Sequence, residues 1–185
     1  KTAPPRTTDQ SLQSQCAHTH KHHAHLFPSR FGPWDRRPSG HRGIRIDGKP
    51  VASTVYVDLA NQLLLGHLPA LLAGEVRSGL VVGLGTGITL GALAEHDLER
   101  LVIVELESGV IAGARLFGDA NGNVLDRSEL EVVIDDGYNY LHSGGALFDV
   151  ITSDPIQPFF RGAATLYSRD YFERAKRRLT PRGVF

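Results

Sequence analysis

Cysteine is nearly absent from this 185-residue sequence: Cys16 stands alone. No internal disulfide can form, which points to a reducing compartment and a cytoplasmic protein. Long apolar runs are missing as well. No uninterrupted stretch approaches the roughly 18 residues of a membrane-crossing helix, and the N-terminal residues lack the apolar core of a secretory leader. Net charge is zero, with 20 Lys and Arg against 20 Asp and Glu, but its distribution is uneven. Residues 1–43 carry seven basic residues against two acids, which leaves residues 44–185 mildly acidic. That balance suits a cationic ligand better than nucleic acid. The chain is 41% hydrophobic and long enough for one domain with its own core.

Residues 1–43 are rich in Pro, Ser, Thr, Gln and His and show neither helical nor strand periodicity, so they read as a disordered or loosely attached tail. His18, His20, His22, His23 and His25 cluster there. Imidazole is a common metal ligand, but no acid or cysteine completes a closed set, and the cluster reads as solvated. No metal site is assigned. Trp34 reads as an anchor for the tail at most.

The informative stretch is Leu80-Val81-Val82-Gly83-Leu84-Gly85-Thr86-Gly87-Ile88-Thr89-Leu90. A short apolar strand runs into three alternating glycines and then into a helix. Such a turn brings bare backbone close to a ligand and aims helix N–H groups at it. The next strand, 101–104, ends in Glu105 about twenty residues later, where an acid can accept from ribose hydroxyls. A third strand, 130–134, ends in Asp135-Asp136-Gly137, and a fourth, 148–153, ends in Asp154-Pro155. Four successive strands ending in glycine or acid place a site at the carboxyl edge of a parallel sheet.

The remaining segments complete a βα alternation. Ile44-Arg45-Ile46, the turn Asp47-Gly48 and residues 50–55 form a small hairpin. Residues 58–72 carry leucines at 59, 63, 64, 68, 71 and 72, a helical spacing interrupted at Pro69, with one face expected against the sheet. Helices follow at 88–95 and 108–117, and residues 118–123 read as a turn. Tyr138 and Tyr140 read as packing groups and His67 as structural. The long loop 155–165 is a candidate lid. Ser168 caps a last helix whose Lys176, Arg177 and Arg178 read as a solvated, dipole-compensating end. A fifth strand would start at Arg182-Gly183-Val184-Phe185, so the domain reads as truncated.

In this order the motifs resemble the polyamine aminopropyltransferase family, the spermidine synthases, and most of all its divergent spermidine synthase-like branch. The resemblance rests on Asp47-Gly48, Gln62 with His67-Leu68-Pro69, Gly83-Leu84-Gly85-Thr86-Gly87, Glu105-Leu106-Glu107, Val110-Ile111, Asp135-Asp136-Gly137, Phe148-Asp149-Val150-Ile151 leading to Asp154, Leu166-Tyr167 and Tyr171-Phe172. It implies a doubly wound, Rossmann-type parallel sheet of the S-adenosylmethionine-dependent methyltransferase kind over residues 44–185. It also implies a co-substrate, decarboxylated S-adenosylmethionine, with no tightly bound cofactor. Gly83, Gly85, Thr86, Gly87, Leu106, Asp135 and Gly137 would line the nucleotide site, with Gln62 reaching the nucleoside. Glu105 would hold the ribose and Asp136 the adenine amino group. Asp154 would orient and deprotonate the attacking amine, with Gln157 also at the substrate. A homodimer, and fusion to membrane segments, occur among family members.

Two positions depart from the pattern. Thr86 stands where the family carries an aspartate that meets the donor's ammonium, and Gln157 stands where it carries a second aspartate. Both remove negative charge where cations bind. Three readings therefore remain: an aminopropyltransferase acting on a di- or polyamine, a methyltransferase using intact S-adenosylmethionine, and a non-catalytic nucleoside-binding module.

Overall fold

The computed structural model describes residues 24–28, 41–46, 49–154, 158 and 163–185. The His cluster at 18–23, Trp34, the turn Asp47-Gly48, Gln157 and most of the candidate lid lie outside these residues. Three strands, β1 (Ala24–Pro28), β2 (Arg42–Ile46) and β3 (Lys49–Ser53), form an antiparallel sheet in the order β1-β2-β3. The expected hairpin is therefore the edge of a three-stranded sheet. Its first strand comes from the segment expected to be a tail, and pairing with β2, from Ala24 opposite Ile46 to Pro28 opposite Arg42, orders it.

The main sheet contains β4 (Ser78–Val82), β5 (Arg100–Glu105), β6 (Leu130–Ile134), β7 (Phe148–Ser153) and β8 (Leu179–Val184) in the order β6-β5-β4-β7-β8. Every pairing is parallel. β4 and β5 are buried almost throughout, as central parallel strands covered on both faces must be. The fifth strand begins at Leu179, three residues before the expected point. The chain first winds from β4 out to β5 and β6, then returns to the other side of β4 to lay down β7 and β8. The direction reverses between the carboxyl ends of β4 and β7, the position where open parallel sheets bind ligands.

One face packs Val81, Leu101, Ile103 and Val150 beneath α1 (Tyr56–Ala73), α2 (Ile88–Ala94) and α3 (Ser108–Ala114). The other packs Leu80, Val82, Val102, Val104 and Ile151 beneath α5 (Gly137–His142) and α6 (Arg169–Arg177). Between them in the chain, α4 (Gly118–Asn121) occupies most of the segment expected to be a turn. Left-handed Gly122 and Asn123 then end it.

Two expectations about helices are corrected. The leucines of α1 do not face the sheet. Its buried residues are Gln62, Gly66 and Ala70, while Leu64, Leu68, Leu71 and Leu72 are exposed. The reason is close approach: a side chain at Gly66 would place its Cβ 2.5 Å from that of Ala92 on α2, so a leucine cannot occupy the crossing point. Nor does Pro69 break the helix, which continues to Ala73. Proline removes the N–H that would bond the Leu65 carbonyl, and Thr152 Oγ1 of β7 supplies the missing donor at 3.0 Å.

Arg178, expected to be solvated, is 4% exposed. Its guanidinium donates to the carbonyls of Tyr140 at 2.8 Å and Ala146 at 3.0 Å, closing the gap between α5 and β7. Three other local readings agree with the structure, and the helix read over 108–117 is α-helical to Ala114 and closes in a 3-10 turn. Ser168 caps α6 through Tyr171 N–H, Tyr138 and Tyr140 pack on the second core, and His67 Nδ1 lies 3.0 Å from His96 Nε2. Among the described residues no helix is long and apolar enough to cross a membrane.

Candidate active site at the carboxyl ends of the strands

The register of the sheet brings the marked strand ends together. Val82 is level with Val104 on one side and Ser153 on the other, so Gly83 and Asp154 leave the sheet side by side. Glu105 is level with Ile134, which puts Asp135 and Asp136 at the same rim. Gly137 starts α5 directly against β4, since a Cβ there would lie 2.3 Å from Val82 Cγ1. Gly83, Gly85 and Gly87 all have φ between 52° and 89°, the region L side chains avoid. A Cβ on Gly83 would meet nothing within 4 Å, which leaves its backbone open to an approaching ligand.

Glu105 is 8% exposed and fastens the turn. Its Oε2 accepts from Leu84 N–H at 2.8 Å and its Oε1 from Glu107 N–H at 2.9 Å. Burial pushes its carboxyl up, while these backbone bonds favour the charged form. Each oxygen retains acceptor capacity for a hydroxyl. The next residue, Leu106, is 58% exposed beside it, an apolar surface at the rim.

Asp136 caps α5, its Oδ1 accepting from Tyr138 N–H at 2.8 Å and Asn139 N–H at 3.1 Å. Asp135 accepts from the Asp136 N–H at 2.7 Å, and its own N–H donates to the Glu105 carbonyl at 3.1 Å, which ties the ends of β5 and β6 together. Asp154 stands exposed at the open rim, yet its carboxyl is held above the ordinary aspartate range. Protein crowded around its carboxyl, and then the negative charge of Asp58, push its pKa up. Asp58 lies in the first turn of α1, where it accepts from Ser53 Oγ at 2.7 Å. Its height follows from Leu65, which bonds to Thr152. Asp58 is about two turns of helix above Leu65, and Asp154 is two strand residues above Thr152, so both acids reach the same rim.

Gln62 and Thr86 are placed differently from simple lining groups. Both are buried, and Thr86 Oγ1 donates to Gln62 Oε1 at 2.5 Å. Gln62 Nε2 donates to the carbonyls of Ser53 at 2.9 Å and Asp58 at 3.1 Å.

A glycine turn, a buried glutamate, a capping aspartate and a perturbed aspartate thus share one rim. The profile described as Spermine/spermidine synthase domain matches residues 59–185. The chain belongs to this family. The polyamine aminopropyltransferase of Enterobacter sp. (strain 638) is 34% identical over 146 residues, 78% of this chain and 50% of that protein. The corresponding enzyme of Klebsiella pneumoniae subsp. pneumoniae is 31% identical over 154 residues, 82% of this chain and 53% of that one. The chain therefore spans about half the length of the curated relatives it matches.

Among solved structures, a spermidine synthase in complex with the transition-state analogue AdoDATO aligns with a TM-score of 0.68 at 24% identity, over 75% of this chain and 47% of that one. The spermidine synthase from Thermotoga maritima aligns with a TM-score of 0.65 at 25% identity, over 75% and 46%. The methyltransferase-like sheet expected from the motifs is the fold of these neighbours. Sequence reasoning missed Ser53 and Asp58, just ahead of the matched spermine/spermidine synthase domain, and Asn121 within it. Only Asp58 left a trace, as an acid in a first helical turn, where it is indistinguishable from one that offsets the helix dipole.

Proposed function

We propose that the domain carries the donor site and catalytic carboxylate of an aminopropyltransferase, using decarboxylated S-adenosylmethionine and a di- or polyamine in a cytoplasmic setting. The observation that carries this reading is the placement of Asp154, with its raised pKa, beside the open backbone of Gly83 at the sheet's reversal point. Donor nucleoside lies along the glycine turn, its ribose on Glu105, its adenine against Leu106 and near Asp136. The amine nitrogen attacks the methylene next to the sulfonium; a C–N bond forms, the C–S bond breaks, and sulfur leaves as a neutral thioether. Asp154 accepts the proton that the nitrogen loses. A carboxylate whose pKa is raised is a better base near neutrality than an ordinary one. The same negative rim, Asp154 with Asp58, suits an acceptor that arrives as a cation.

Calorimetric titration with decarboxylated and intact S-adenosylmethionine, each with a panel of diamines, tests the assignment. The expected result is preference for the decarboxylated donor and turnover with an amine. Asp154→Asn should lower turnover by roughly 10²–10⁴-fold, the usual worth of a general base, while nucleoside binding persists. Preference for the intact donor would favour a methyltransferase, a reading supported by Thr86, which offers no acid to repel the donor carboxylate. Nucleoside binding with no turnover on any amine would leave a binding module.

A further inference from the structure

Thr86, in the middle of the glycine turn, is held from two sides. Its hydroxyl donates to Gln62 on α1 at 2.5 Å, and its carbonyl accepts from Asn121 Nδ2 on α4 at 2.9 Å. We propose that Gln62, Thr86 and Asn121 form a clamp of positioning residues that sets the glycine turn in its ligand-ready shape, and that none of the three side chains touches the donor. The functional consequence rests on the nucleoside-site reading above; the clamp itself does not.

The side chains have little left to offer a ligand. Thr86 is 0% exposed, and Gln62 and Asn121 are each 3% exposed. Both ends of the Gln62 amide are occupied, one by Thr86 and the other by the Ser53 and Asp58 carbonyls. The Asn121 amide has one tenable orientation, because Nδ2 lies 2.9 Å from both the Thr86 and Ala114 carbonyls and a flip would set oxygen against oxygen. Its Oδ1 is buried, with no donor among the described residues. A buried acceptor left unpaired is a cost, and here it accompanies two bonds that tie the turn, at the Thr86 carbonyl, to the end of α3, at the Ala114 carbonyl.

Backbone contacts make the clamp specific. A Cβ on Gly87 would lie 3.0 Å from Asn121 Nδ2, and one on Gly91 would lie 2.3 Å from the Asn121 carbonyl, so α2 and α4 meet with nothing between them. The benefit is entropic. Glycine loses more backbone freedom on ordering than any other residue, and this turn has three in the left-handed region. Without the clamp, a ligand would have to order the turn as it bound; with it, that cost is met during folding and affinity is retained.

Hydrogen exchange on the ligand-free chain separates a clamp from a ligand contact. The amides to follow are Gly87 N–H, bonded to the Leu84 carbonyl, and Gly91 N–H, bonded to the Gly87 carbonyl. Thr86→Val and Asn121→Ala should speed their exchange tenfold or more, leaving the amides of β4 and β5 unchanged, and Thr86→Ser should restore the native rate. Titrated with S-adenosylmethionine and 5′-methylthioadenosine, Thr86→Val should bind about tenfold more weakly, and Thr86→Val with Gln62→Leu no more weakly than either alone. Weaker binding with unchanged exchange would overturn the proposal by making Thr86 a ligand contact; unchanged exchange and binding would overturn it by making the clamp inert. Should Asn121→Ala fail to fold, Thr86→Val carries the test, since it replaces a hydroxyl by a methyl of similar shape. If the native chain binds neither nucleoside, the site reading fails while exchange still decides the clamp.

Discussion

Asp154 is pushed toward its protonated form by the protein around it and by Asp58, and the second contribution can be removed without disturbing the first. Asp58→Asn keeps an acceptor for Ser53 Oγ but deletes the negative charge. The folded-state pKa of Asp154 then falls. On the proposed reading the amine needs the deprotonated carboxylate, so the acid limb of the kcat/KM profile for the amine should move to lower pH, while the amine KM rises as one attraction for a cation is lost. A limb that stayed in place or moved up would show that Asp58 does not act on the base. Glu105, Asp136 and Asp154 were legible as candidates because apolar strand runs announce their own ends, and a parallel sheet gathers those ends. Asn121 was not legible. Its partners, Thr86 and the glycines of α2, lie some 30 residues away in the chain, and no local pattern tells an amide under a glycine turn from one in a solvated turn.

At the level of elements, α1 continues past Pro69 because a side chain of β7 replaces the missing backbone donor. Thr152 is 4% exposed, and its hydroxyl is bonded to the Leu65 carbonyl. Thr152→Val would keep the shape and leave that carbonyl without its partner, at a cost of about 1–3 kcal/mol. Pro69→Ala restores an N–H one turn below Leu65, so the loss caused by Thr152→Val should be smaller in the Pro69→Ala background. Urea denaturation of the four proteins closes the cycle, and strictly additive losses would mean that the hydroxyl does not stand in for the proline. The helix was legible from its leucines, but its buried face was not. Periodicity identifies an apolar stripe, and here the close crossing with α2 selected Gly66 and Ala70 for the buried side and left Leu64, Leu68 and Leu71 outside. The strands β4 to β7 were read within two residues because continuous apolar runs admit little else, whereas β1, in a polar stretch, was not read as a strand.

For the molecule as a whole, the rim ties the ends of the sheet strands to the helices that cover both faces. The glycine turn bonds to β5 through Glu105, to α1 through Gln62 and to α4 through Asn121, while Asp135 binds β6 to β5. A ligand lying across these ends would bind the folded chain and not the unfolded one, so its binding energy adds to stability. At a hundred times its dissociation constant the gain is about 2.7 kcal/mol. For a chain of this length each kcal/mol moves the midpoint by roughly 2–4 °C, so a rise of about 5–10 °C is expected. The check is calorimetry to obtain the dissociation constant of 5′-methylthioadenosine, then thermal unfolding at a hundredfold excess. On the proposed reading a diamine alone binds beside Asp154 and should give a smaller rise, and nucleoside and diamine together the largest. A nucleoside that binds with measurable affinity yet leaves the midpoint unmoved would have to bind the unfolded chain equally well, which a pocket assembled from four strand ends cannot do.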